Sequence, residues 1–99
     1  MSYHGITFER DSIAEFCRRQ GIVRLSLFGS ILRHDFSADS DVDVLVEFAG
    51  PTPSLLDLGG MQQELSAMLG RTVDLKTWGF MSDSIRRRVE QERQVQYAA

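Results

Sequence analysis

The sequence predicts a small α/β domain, a mixed β-sheet flanked by helices, and three observations carry that reading. Segments with apolar residues at helical spacing take turns along the chain with short β-branched runs. Glycine and proline stand at the boundaries between them. With 99 residues, 42% hydrophobic and 25% charged, the chain fits one globular unit, so residues 1–99 are expected to form a single domain.

The elements follow in order. From about Thr7 to Gln20, Ile13, Phe16 and Cys17 recur at helical spacing; Ser12 and Glu15 offer a capping box and Gly21 a stop. Ile22 to Phe28 is short, apolar and β-branched, a strand that ends in a turn at Gly29 and Ser30. Residues 31–34 suit a short helical turn, and Asp35 to Ser40 is polar and loop-like. Asp41 to Phe48 alternates cleanly as a second strand. Gly50, Pro51 and Pro53 mark a connection, and Ser54 with Asp57 caps a helix running to Leu69. In that helix Leu58, Met61, Leu65 and Met68 form the apolar stripe, and Gly59–Gly60 marks a bend or a close packing contact. Gly70 ends it, Thr72 to Thr77 is a third strand, and Ser82 opens a polar last helix reaching toward Tyr97.

The charge balance narrows the function. A net charge of −3 lacks the basic excess that meets a phosphate backbone, so nucleic acid is not the expected partner. Cys17, the single cysteine, excludes an internal disulfide and a cysteine-based zinc site, and reads as a buried thiol suited to a reducing cytoplasm. No apolar run is long enough for a membrane span.

The chemistry concentrates between Leu27 and Phe48, where Gly29 and Ser30 are followed after ten residues by Asp41 and Asp43. Residues 41 and 43 of a strand project from one face, so two carboxylates stand side by side while Val42, Val44 and Val46 fill the other. Like charges so placed repel unless a cation neutralises them, and hard oxygen donors are what Mg²⁺ takes, with substrate phosphates completing its shell. Gly29 lets a phosphate approach the backbone, and Ser30 adds a hydroxyl and an amide. Asp74 joins the same site if its strand pairs beside Asp41 to Phe48, and three carboxylates suffice for two Mg²⁺ about 4 Å apart. By chance this Gly-Ser and Asp-x-Asp combination arises in about one chain of this length in a thousand.

Phe28, Gly29, Ser30 and the run Asp41 to Val44 resemble the signature of the DNA polymerase β-like nucleotidyltransferase superfamily, and the longer stretches "SLFGSILRHDFSADSDVDVLVEF" and "LLDLGGMQQELSAMLGRTVDLKT" resemble its minimal nucleotidyltransferases of the antitoxin type. The similarity covers roughly residues 12–97. It implies the polymerase β-like fold, metal binding by Asp41, Asp43 and Asp74, and an active enzyme. It further implies transfer of AMP from ATP to a tyrosine of a HEPN-domain ribonuclease toxin. One departure stands out: Ile31 and Leu32 follow the Gly-Ser where related sequences often carry a basic or aromatic residue. Arg33, the basic group nearby, is either a phosphate contact or a solvated side chain. Two other functions are weighed: a nucleotidyltransferase acting on a small hydroxylated molecule, and a non-catalytic antitoxin that binds its toxin. The first generally carries an additional substrate domain, and the second has no need of three clustered acids.

The remaining residues read more plainly. His4 and His34 are expected on the surface. Arg86–Glu90 and Arg88–Glu92 pair along a solvated helix face. Trp78, Phe80 and Met81 are expected in the core or at a subunit interface.

Overall fold

The structure, a computed structural model, describes residues 2–99. The alternating segment becomes Val42–Phe48, a central strand of a four-stranded mixed sheet. In chain order the elements are β1 (Ser2–Tyr3), β2 (Ile6–Thr7), α1 (Arg10–Gln20), β3 (Ile22–Phe28), a 3₁₀ turn (Gly29–Leu32) and β4 (Val42–Phe48). They continue with α2 (Leu55–Leu69), β5 (Val73–Lys76), a second 3₁₀ turn (Trp78–Phe80), α3 (Asp83–Glu92) and β6 (Gln94–Ala98). The sheet order is β5-β4-β3-β6, with β4 and β5 parallel and the other pairs antiparallel.

Period-2 patterning divides this sheet into two faces. Val42, Val44 and Val46 of β4, Leu25 and Leu27 of β3, and Val73 and Leu75 of β5 pack against Ile13, Phe16 and Cys17 of α1 and Leu58, Met61 and Leu65 of α2. Each such fully buried side chain contributes about 1.5–3 kcal/mol. The Cys17 thiol lies wholly inside this layer, where burial pushes its pKa up to about 12, so it serves as packing. Phe28, Leu45, Met81 and Val89 form a smaller cluster on the opposite face, under α3. Between the helices of the first layer, Arg19 and Glu64 form an ion pair at 2.5 Å.

Side chains of α2 and its C-terminal turn fix the segments that deliver the acids. Ser54 Oγ accepts from the Asp57 N–H, the expected N-cap. Further along, Gln62 Oε1 accepts from the Leu75 N–H at 2.9 Å and Ser66 Oγ from the Val73 N–H at 3.0 Å. The outer donors of edge strand β5 are thus satisfied, holding it in register. Arg71, between α2 and β5, donates to the carbonyls of Ser37 and Ser40, each at 2.8 Å, and stacks over Phe36 at 4.7 Å. That clamp sets the loop entering Asp41.

Several expectations need correction. The first helix starts at Arg10 because Ile6–Thr7 pairs with Ser2–Tyr3 across a two-residue turn, His4–Gly5, in which both φ angles are positive. Its N-cap is Glu9, and Ser12 donates to the Glu9 carboxylate instead of forming a capping box with Glu15. The last helix stops at Glu92, and residues 94–98 pair with β3, since Val95 and Tyr97 follow strand alternation and the sheet offers an edge. Met68 is 38% exposed, outside the stripe that Leu58, Met61 and Leu65 complete. A Cβ on Gly59 or Gly60 would meet nothing, so close packing does not account for the pair. Of the residues expected in the core or at a subunit interface, Met81 is in the core and Phe80, 55% exposed, lies outside it.

Candidate active site

The site is assembled where β3 ends, β4 begins and β5 begins. Phe28, the last residue of β3, is the register partner of Asp43. The chain then leaves the sheet through Gly29, whose φ of 77° lies in the left-handed region. A Cβ there would stand 2.3 Å from Asp43 Oδ2 and 3.1 Å from its Cγ. Only glycine therefore serves both demands, the turn and the close approach of backbone to carboxylate. Ser30 follows as the second residue of the 3₁₀ turn.

On its other side, Asp43 is the register partner of Asp74 in the parallel pair, so the condition under which Asp74 joins the site is met. Asp41 immediately precedes β4. Burial, then the Asp74 charge, raises the Asp43 pKa from its ordinary 3.8 to about 6, with Asp41 adding to the rise and Lys76 and Arg33 opposing it. Lys76, two residues beyond Asp74 on the same face of β5, places its Nζ 2.7 Å from Asp74 Oδ2. Among the described residues no three acidic, histidine or cysteine side chains are gathered closely enough to grip a metal ion in this arrangement. Asp43 feels the charges of Asp74 and Asp41, and Asp74 is turned to the ammonium of Lys76.

Arg33 is neither free nor simply solvated. Its Nη1 lies 3.5 Å from Glu92 Oε2, and its Nε is 4.0 Å from Asp35. The other oxygen of Glu92 accepts from the Gly29 N–H at 3.3 Å. Glu92 thus turns to Gly29 and Arg33 and not along α3 to Arg88, while Arg86 Nε donates to the Trp78 carbonyl. A cavity of about 670 Å³ opens here, lined in part by Arg33, His34 and Glu92. His34 is exposed as expected, and His4, also exposed, reaches the Ile31 carbonyl at 3.0 Å.

Two functional neighbours were missed by sequence reading, Lys76 and Glu92. The alternation in Val73–Lys76 carries the signal for Lys76, since residues 74 and 76 share a face. Glu92 lies 63 residues from Gly29 and has no local signal.

The β3 strand thus exits through a left-handed glycine packed onto Asp43, which is paired in register with Asp74. Comparison with known families agrees, for the model of the nucleotidyltransferase domain matches residues 10–96. The chain belongs to that family. This nucleotidyltransferase, whose substrate is accordingly a nucleotide, resembles the protein adenylyltransferase MntA of Thermococcus cleftensis, with 37% identity over 78 residues, 79% of this chain and 78% of that one. It is also 39% identical over 74 residues, 75% of the chain and 78% of the relative, to a Methanocaldococcus jannaschii protein assigned to the protein adenylyltransferases. Among solved structures, the Shewanella oneidensis complex of a tri-AMPylated HEPN toxin with an MNT antitoxin matches with a TM-score of 0.68 and 21% identity, over 91% of this chain and 70% of the other. That match speaks for the fold. The nucleotidyltransferase therefore has the expected mixed sheet flanked by helices, and no helix among its described residues is long and apolar enough to cross a membrane.

Proposed function

We propose that this nucleotidyltransferase is an antitoxin that moves AMP from ATP onto a hydroxyl, a tyrosine, of a cognate HEPN-type toxin, in the cytoplasm. The observation that carries the reading is the packing of Gly29 on Asp43 with Asp74 in register beside it. The names of the relatives, protein adenylyltransferase MntA and an MNT antitoxin bound to an AMPylated HEPN toxin, support the reaction and the partner.

Asp41, Asp43 and Asp74 would hold two Mg²⁺ ions; their carboxylates are hard donors, and Asp43 sits among like charges that a cation relieves. Bound there, Mg²⁺ would neutralise the triphosphate and favour attack by the acceptor hydroxyl. The chain's own residues do the positioning. Gly29 and Ser30 present backbone amides and a hydroxyl to the phosphates, Arg33 adds a fixed positive charge, and Lys76, paired with Asp74, would add a second cation beside the acids. Residues 1–99 work as one domain, and the partner supplies the acceptor.

The test mixes the chain with a HEPN-type protein, ATP and Mg²⁺ and weighs the partner by intact mass spectrometry. Added AMP that disappears in chelator is the expected result. A partner of unchanged mass that still loses its toxicity would establish neutralisation by contact alone and refute the transfer reading.

A further inference from the structure

Glu92 occupies the very groups that the proposed reading gives to the phosphates. One of its oxygens accepts from the Gly29 N–H and the other faces the Arg33 guanidinium, so a single carboxylate spans the amide and the cation as a phosphate oxygen pair would. It is the last residue of α3, and its side chain is only 26% exposed. The cavity at its side gives the carboxylate somewhere to turn.

We infer that Glu92 is an internal substitute for the triphosphate, a self-blocking contact that the nucleotide displaces from Gly29 and Arg33 on binding. The inference rests on the assignment of the phosphates to Gly29, Ser30 and Arg33. Its physical basis is competition. One guanidinium and one amide cannot serve two anions at full strength, and a carboxylate left at Gly29 and Arg33 adds to the negative charge an incoming triphosphate must meet. Glu92 therefore weakens nucleotide binding, the opposite of what a ligand-holding residue does. It differs in this from the three aspartates, whose loss weakens binding in the presence of Mg²⁺.

The experiment titrates the non-hydrolysable analogue AMP-PNP with Mg²⁺ into the wild-type chain and into Glu92→Gln by calorimetry, with a thermal melt of each. The glutamine keeps the shape and a hydrogen-bond acceptor but not the charge, and the expected result is about tenfold tighter binding. Should the glutamine variant fail to fold, Glu92→Asp keeps the charge but withdraws it by one methylene, and it too tightens binding. Unchanged or weaker binding in a folded variant, alongside normal binding by wild type, overturns the inference while leaving the proposed site intact. If neither protein binds AMP-PNP, the assignment of phosphates to Gly29 and Arg33 is wrong and the role of Glu92 falls with it.

Discussion

Replacing Asp43 by Asn separates the chemistry of the site from its structural cost. Asn keeps the size and the strand position, removes a half-buried charge and its repulsion by Asp74 and Asp41, and leaves the packing of Val42 and Val44 untouched. A pKa raised from 3.8 to about 6 sets a ceiling of about 3 kcal/mol on what ionised Asp43 costs the fold at neutral pH. Because the carboxylate remains partly in water, screening reduces this to about 1–1.5 kcal/mol. For a domain of this size that is a rise in Tm of roughly 5–10 °C for Asp43→Asn in chelating buffer. Mg²⁺ should raise the wild-type Tm and leave the variant's nearly unchanged, and AMP transfer to a HEPN-type partner should fall by at least about a hundredfold. The assays are circular dichroism melts with and without Mg²⁺ and intact mass of the partner. A variant that melts below wild type in chelator refutes the electrostatic reasoning, and a folded variant that transfers AMP at the wild-type rate refutes the role of Asp43.

The same electrostatics predict a pH dependence. Since folding raises the Asp43 pKa, the folded state binds more protons than the unfolded one between about pH 4 and 6, and this group's contribution to stability falls as pH rises through that window. The Tm gap between Asp43→Asn and wild type in chelator should open across it and close below pH 4; a gap of equal size at pH 3.5 and 7.5 contradicts this. Gly29→Ala should cost about 2 kcal/mol or more, from the left-handed φ and the overlap with Asp43, lowering Tm by roughly 10 °C and abolishing transfer. Wild-type stability in that variant would mean the turn is looser than described. Ser30→Ala should leave the melt unchanged and raise the KM for ATP about tenfold, the worth of one hydrogen bond to a charged group. Unaltered kinetics would remove Ser30 from the site.

The sequence made the acids legible because a strand imposes its period of two: Asp41 and Asp43, alternating with Val42, Val44 and Val46, declare a polar and an apolar face without any partner. Gly29 was legible as a turn, but its contact with Asp43 depends on antiparallel register, which no local pattern states. Asp74 required a pairing that the sequence offered only as a condition. The strand at Gln94–Ala98 was misread because Arg, Glu and Gln favour helix while Val95 and Tyr97 alternate too briefly to compete, and β3 decided the outcome. The hairpin at the start was missed because two strands of two residues are shorter than any periodic signal. Glu92 and Arg71 act across the fold, on groups more than 30 residues away, and such contacts are visible only once the chain has closed.

Arg71 grips the loop before Asp41 by carbonyl oxygens, which every amino acid carries. Apart from the Phe36 ring under the guanidinium, the grip does not call on side chains, and Ala38 and Asp39 are free to change while the two carbonyl contacts stay in place. The loop closes on itself through Ser37 and Ser40, whose hydroxyls accept from the Asp39 and Ser37 N–H groups, and its hold from outside comes from one arginine between the helix α2 and the strand that bears Asp74. The main-chain route into Asp41 is thus held from outside the loop, by an arginine that takes hold of it at Ser37 and Ser40.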